Sequence, residues 1–198
     1  MKKALIVFGV ILSFAANSWA ANGIEIALKG GVVDNFSYPG LILPKDNLKK
    51  EGLIGAHLYI KSPPVIDLIV SMDYTWQEKN YTIAGQSFDF KTRDITVSAS
   101  LVYPMTLSFA RFYAGGGAGT HSFSHEYFRP RSISLESNGV KIPEIATYFG
   151  YHAIAGAKFN LPSIPCGLFV ESRVGRINLP DEDISYNNWT GGIYFSFP

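Results

Sequence analysis

The densest run of reactive side chains is Thr120-His121-Ser122-Phe123-Ser124-His125-Glu126. A serine hydroxyl beside an imidazole, with a carboxylate to orient the ring, is the apparatus of nucleophilic acyl transfer. In an extended chain, however, His121 and His125 share one face while Ser122, Ser124 and Glu126 share the other. A local triad would require the chain to curl into a loop after His121, so a polar rim at a strand end is the expectation. The two histidines would stand about 13 Å apart in a strand, too far to share one ion. Asp181-Glu182-Asp183 does not match a calcium loop and reads as a solvated acidic turn. Cys166 is the only cysteine, which excludes an internal disulfide and a cysteine metal site. No metal and no cofactor are expected.

The elements that would position these groups have a period of two. In the last segment Trp189, Gly191, Ile193, Phe195 and Phe197 share one parity, and Thr190, Gly192, Tyr194 and Ser196 the other. Seven earlier segments repeat the pattern, near residues 24–32, 52–60, 68–77, 95–103, 109–121, 148–159 and 168–175. The third is the clearest, with Leu68, Val70, Met72, Tyr74 and Trp76 against Ile69, Ser71, Asp73, Thr75 and Gln77. Spans of roughly 9–11 residues are what a tilted strand needs to cross a bilayer. All eleven prolines fall outside these segments, as expected for residues that cannot donate to a ladder. Links after the second, fourth and sixth segments are short, and those after the first, fifth and seventh are long.

Residues 1–20 read as a secretory signal peptide: Lys2 and Lys3, an apolar stretch from Ala4 to Ala16, then Ser18-Trp19-Ala20 as the cleavage site. Residues 21–198 are then one domain. Of 17 basic residues, 15 remain without Lys2 and Lys3, against 16 acidic, so no nucleic-acid partner is expected. Hydrophobic residues make up 47%, with 19 Gly, 14 Phe, 11 Tyr and 3 Trp, a composition that suits a barrel whose outer face meets lipid. Trp76, Phe149, Tyr151 and Trp189 fall at the long-link ends, and Tyr103, Phe112, Phe159, Phe195 and Phe197 at the short-link ends. These are two interfacial girdles. The opposite face carries Glu25, Lys29, His57, Asp73, His152, Lys158, Glu171 and Arg173. A soluble barrel of lipocalin type would turn the apolar face inward around a ligand. The aromatic bands and the charged opposite face favour lipid outside.

With its leader, eight alternating segments and aromatic-terminated last strand, the chain resembles the small outer-membrane barrels of the OmpA transmembrane-domain, OmpX and opacity-protein type. The resemblance covers the mature chain. It implies an all-β fold, an eight-stranded antiparallel up-and-down transmembrane β-barrel, in the outer membrane of a Gram-negative cell. It also implies that Phe195 and Phe197 form the insertion signal met by the barrel-assembly machinery, although Pro198 follows where that family usually ends on Phe.

So narrow a barrel has room only for its own side chains. Asp73, His152, Lys158, Glu171 and Arg173 are therefore expected to form a paired lumen plug, since buried charges persist only when paired. The link after the first segment carries Phe36 and Tyr38, and the one after the fifth carries Tyr127, Phe128, Arg129 and Arg131. Aromatics beside basic residues there are candidate contacts for an extracellular protein or for the phosphates of outer-membrane lipopolysaccharide. The expected function is non-enzymatic, serving membrane integrity or surface interaction through external loops. The alternatives are a lipid A-modifying acyl hydrolase and a narrow channel for small or apolar solutes. Against the hydrolase, the residue two beyond His121 is Phe123, where the deacylases among such barrels have serine.

Overall fold

The computed structural model describes residues 23–34, 48–61, 65–83, 86–107, 109–128, 146–161, 164–180 and 183–197. The expected leader, Phe36, Tyr38, Arg129, Arg131, Asp181, Glu182 and Pro198 lie outside these residues. Eight strands follow in chain order: β1 (Ile24–Asp34), β2 (Leu48–Ile60), β3 (Asp67–Ile83), β4 (Gln86–Thr106), β5 (Ala110–Phe128), β6 (Thr147–Asn160), β7 (Cys166–Asn178) and β8 (Ile184–Phe197). Each pairs antiparallel with its neighbours in sequence, and β8 returns to β1, so the sheet closes into a barrel. Closure satisfies the ladder within the sheet and removes the edges that would otherwise recruit other strands.

The alternation sorts side chains by face. Leu28, Ile54, Met72, Leu101, Val170, Val174 and Ile193 stand exposed on the outside, while Glu25, Lys29, His57, Asp73, Glu171 and Arg173 are buried inside. An apolar surface of this extent is unfavourable in water and suited to hydrocarbon. The apolar face points outward, opposite to a lipocalin.

Glycines make room for the rings. Tyr113 pairs with Gly156, Tyr186 with Gly175, Tyr194 with Gly167 and Phe169 with Gly192. In each pair a Cβ on the glycine would collide with the partner's ring. The rings therefore lie across bare backbone, covering it as aromatic side chains cover strand glycines elsewhere. This is how four large side chains fit into an eight-stranded lumen.

Three strands outrun the expected boundaries by the most. β3 continues past Gln77 to Ile83, β4 begins at Gln86 rather than Ile95, and β5 continues past His121 to Phe128. The link between β3 and β4 is a near-continuous hairpin, paired up to Ile83 opposite Gln86. Beyond the bilayer neither face meets lipid, so the apolar alternation that marks a strand fades while the ladder goes on. Pairing of β1 with β2 stops at Gly31 and Leu53, and that of β5 with β6 at Ser122 and Thr147. Among the described residues, β2 to β5 continue above those points as a wall paired with one another.

Pro104 corrects the proline rule, since it lies within β4 opposite Tyr113. Pairing with β3 reaches only to Val102, so Pro104 sits where β4 has one neighbour, and its missing N–H is tolerated there.

Candidate functional site

The lumen is packed in three layers. At the short-turn end Glu25 of β1 meets Lys158 of β6 at 2.5 Å and Lys61, just after β2, at 2.7 Å. The Lys158 Nζ lies 3.1 Å from the centre of the Tyr59 ring, with the Tyr194 and Tyr113 rings at 5.3 and 5.7 Å. A cation among three ring faces gains from their quadrupoles where water is excluded. Asp67 accepts from the Tyr59 hydroxyl at 2.7 Å and from Arg111 at 2.5 Å.

In the middle layer Lys29 Nζ lies 2.8 Å from Asp73 and 3.7 Å from Glu171. Arg173 reaches the same two carboxylates, at 3.3 Å to Asp73 and 3.0 Å from its Nε to Glu171. Two cations and two anions thus share one buried cluster with no net charge. Arg173 also donates to Ser71 at 2.7 Å and Ser98 at 3.1 Å, and the Tyr113 hydroxyl donates to Glu171 at 2.9 Å. The planar guanidinium serves several acceptors at once, which a lysine ammonium cannot do in the same geometry.

The layer nearest the long loops changes character. Asp94 lies 2.7 Å from His121 Nδ1 and accepts from Thr96 at 2.9 Å. Around them Val33, Leu53, Phe123, Ile177, Ile184 and Tyr186 form an apolar cluster at the outer mouth.

The expected plug residues do not form one group. Asp73, Glu171 and Arg173 meet directly. Lys158 belongs to the layer below, and His152 pairs with Ser100 at 2.7 Å. Lys29, expected on the inward face but not in the plug, joins the middle layer, and Tyr113 and the Tyr59–Asp67–Arg111 set, which the sequence did not single out, complete these layers. The only signal for the tyrosines is their parity, which Tyr59, Tyr113 and Tyr194 share with the charges. His57 is buried against Phe169, ring centres 4.9 Å apart, with neither ring nitrogen hydrogen-bonded among the described residues.

β5 stays extended through Thr120–Glu126, so the serine and histidine faces remain opposite. His121 is buried in the lumen, while Ser122 is exposed outside with its Oγ 2.9 Å from Thr147 Oγ1. No serine–histidine pair forms between Thr120 and Ser124. Among the described residues no three metal-ligating side chains converge. Tyr127 and Phe128 end β5, opposite Phe90 and Asp89. Phe195 and Phe197 are exposed on the outer face, Phe197 opposite Ile24.

A family described as outer membrane protein β-barrel domain matches residues 4–197. No curated protein matches the chain. Among solved structures, the outer membrane protein OprG of Pseudomonas aeruginosa is similar at 12% identity and a TM-score of 0.56, over 89% of this chain and 96% of that one. A major outer membrane protein of Thermus thermophilus has 11% identity and a TM-score of 0.56, over 89% of this chain and 100% of that one. Neisserial surface protein A has 12% identity and a TM-score of 0.53, with the same coverage of 89% and 100%. At these identities the likeness concerns the fold alone.

Proposed function

This chain belongs to the outer-membrane protein β-barrel domain family, and we propose that it acts there as a non-enzymatic scaffold with a plugged lumen. It is a bacterial outer-membrane protein. In this reading residues 1–20 are removed on export, the short turns face the periplasm, and the β2–β5 wall with its loops meets the medium. The barrel contributes to envelope integrity and offers its outer end to lipopolysaccharide or an extracellular protein. Insertion runs through the barrel-assembly machinery, with Phe195 and Phe197 at the recognised end.

The observation that carries this reading is the neutral cluster of Lys29, Asp73, Glu171 and Arg173 across the middle of the lumen. Opening a water path there would break four ion pairs at once. Against a hydrolase stands His121, turned inward to Asp94 while Ser122 faces outward.

Two experiments test the proposal. The purified mature protein in a planar bilayer is expected to give no steady conductance. Lipid A from cells with and without the protein is expected to carry the same acyl chains by mass spectrometry. A stable channel, or a lost or added acyl chain, overturns the corresponding half of the reading.

A further inference from the structure

On the outer face, where β3 and β4 leave the apolar belt, a half-open groove of about 430 Å³ runs past Tyr74, Trp76, Glu78, Lys91 and Arg93. Its floor is preformed. The Trp76 ring lies over Gly52, where a Cβ would strike the ring, and the Tyr74 ring follows at 5.9 Å and 30°. Fixed rings lose little conformational freedom when something packs on them.

Its rim carries two cations, Arg93 and Lys91, each held by a carboxylate. Arg93 stands opposite Trp76 in the ladder, and Lys91 opposite Glu78. Glu126 holds the Arg93 guanidinium by two bonds, 2.7 and 3.0 Å long, which spends two of its five N–H donors. The Lys91–Glu78 contact is loose, at 3.7 Å, and the Lys91 side chain is 47% exposed. Both carboxylates steady the cations and balance their charge, so any attraction here is short-ranged rather than a broad field.

The groove's level selects the ligand. Met72 and Ile95, next along the outward face toward the membrane, are apolar and exposed. Aromatic rings with an arginine level with the outer ring and a lysine one step further out mark the interface between hydrocarbon and headgroups. A guanidinium and an ammonium at that depth match a phosphate, and the ring floor matches the apolar root of the same molecule.

We propose that this groove binds the phosphorylated headgroup of an outer-leaflet glycolipid, with Arg93 and Lys91 on a phosphate and Tyr74 and Trp76 beneath it. The site deepens the envelope role proposed above by assigning it a lipid partner and a position on the barrel.

The test uses the mature full chain in phosphatidylcholine nanodiscs doped with lipid A, with retained lipid counted by native mass spectrometry after release. The wild type is expected to retain a lipid A molecule, and the Arg93→Gln/Lys91→Gln pair to lose about tenfold in occupancy. Both proteins should keep their unboiled gel mobility. Lipid A stripped of phosphate should be retained no better than phosphatidylcholine. Equal retention by the double variant overturns the proposal, as does equal retention of the dephosphorylated lipid. Full displacement by millimolar inorganic phosphate overturns it too, because it would make this a site for soluble anions. A channel or a changed acyl pattern would count against the scaffold reading and leave this measurement unaffected.

Discussion

Replacing Arg173 with methionine tests the packing of the lumen most directly. Methionine keeps the apolar stem but ends near the position of Nε, so the guanidinium, its charge and its donors to Ser71 and Ser98 are lost together. Asp73 and Glu171 would be left to share Lys29 alone, at 2.8 and 3.7 Å, turning a neutral cluster into a net anion in a buried site. Removing one partner of a buried ion pair costs about 3–5 kcal/mol, because the remaining charge stays desolvated. That is roughly a hundred- to several-thousandfold in the folding equilibrium, at about 1.4 kcal/mol per factor of ten. With a slope of about 2 kcal/mol per molar urea, the midpoint should fall by roughly 1.5–2.5 M. Urea titration in lipid vesicles, read by the unboiled gel band, measures this.

The double change Arg173→Met/Glu171→Gln leaves Lys29 with Asp73 as a balanced pair. It should recover part of the loss, with a coupling of about 1–3 kcal/mol. A single variant costing less than about 1 kcal/mol would refute the reasoning, because the cluster would then behave as a solvated one. Strict additivity of the two changes would refute it equally.

Three further outcomes follow from the same structure. Asp73→Ala removes the acceptor shared by Lys29 and Arg173 and is expected to give a small steady conductance where the wild type is silent; planar-bilayer recording reads it. Gly156→Val drives a side chain into the Tyr113 ring and strains its hydroxyl bond to Glu171, with an expected cost of about 1–3 kcal/mol in the urea assay. Gly156→Ala should cost less. Lys158→Met frees Glu25 from its closest partner but leaves it Lys61, so the loss in that assay should fall below that of Arg173→Met.

The sequence by itself determined which side of each strand meets lipid, because a period of two puts alternate residues on opposite faces whatever the neighbours are. It therefore identified the inward charges Glu25, Lys29, His57, Asp73, His152, Lys158, Glu171 and Arg173, the outward aromatics and the strand count. It could not determine which charges meet. Lys158 and Glu25 stand 133 residues apart, and Arg173 and Ser71 stand 102 apart. Both contacts cross the lumen, so they depend on the register of every intervening strand and on closure of β8 against β1. The pairing of Tyr113 with Gly156 depends on register in the same way. The outer ends of β3, β4 and β5 were invisible for a different reason: with water on both faces the apolar alternation stops, and only backbone hydrogen bonds to a neighbour keep those residues in a strand. Lys91 and Arg93 lie at the membrane end of that stretch, beside the girdle residue Trp76, on two strands whose adjacency at that height only the tertiary structure decides.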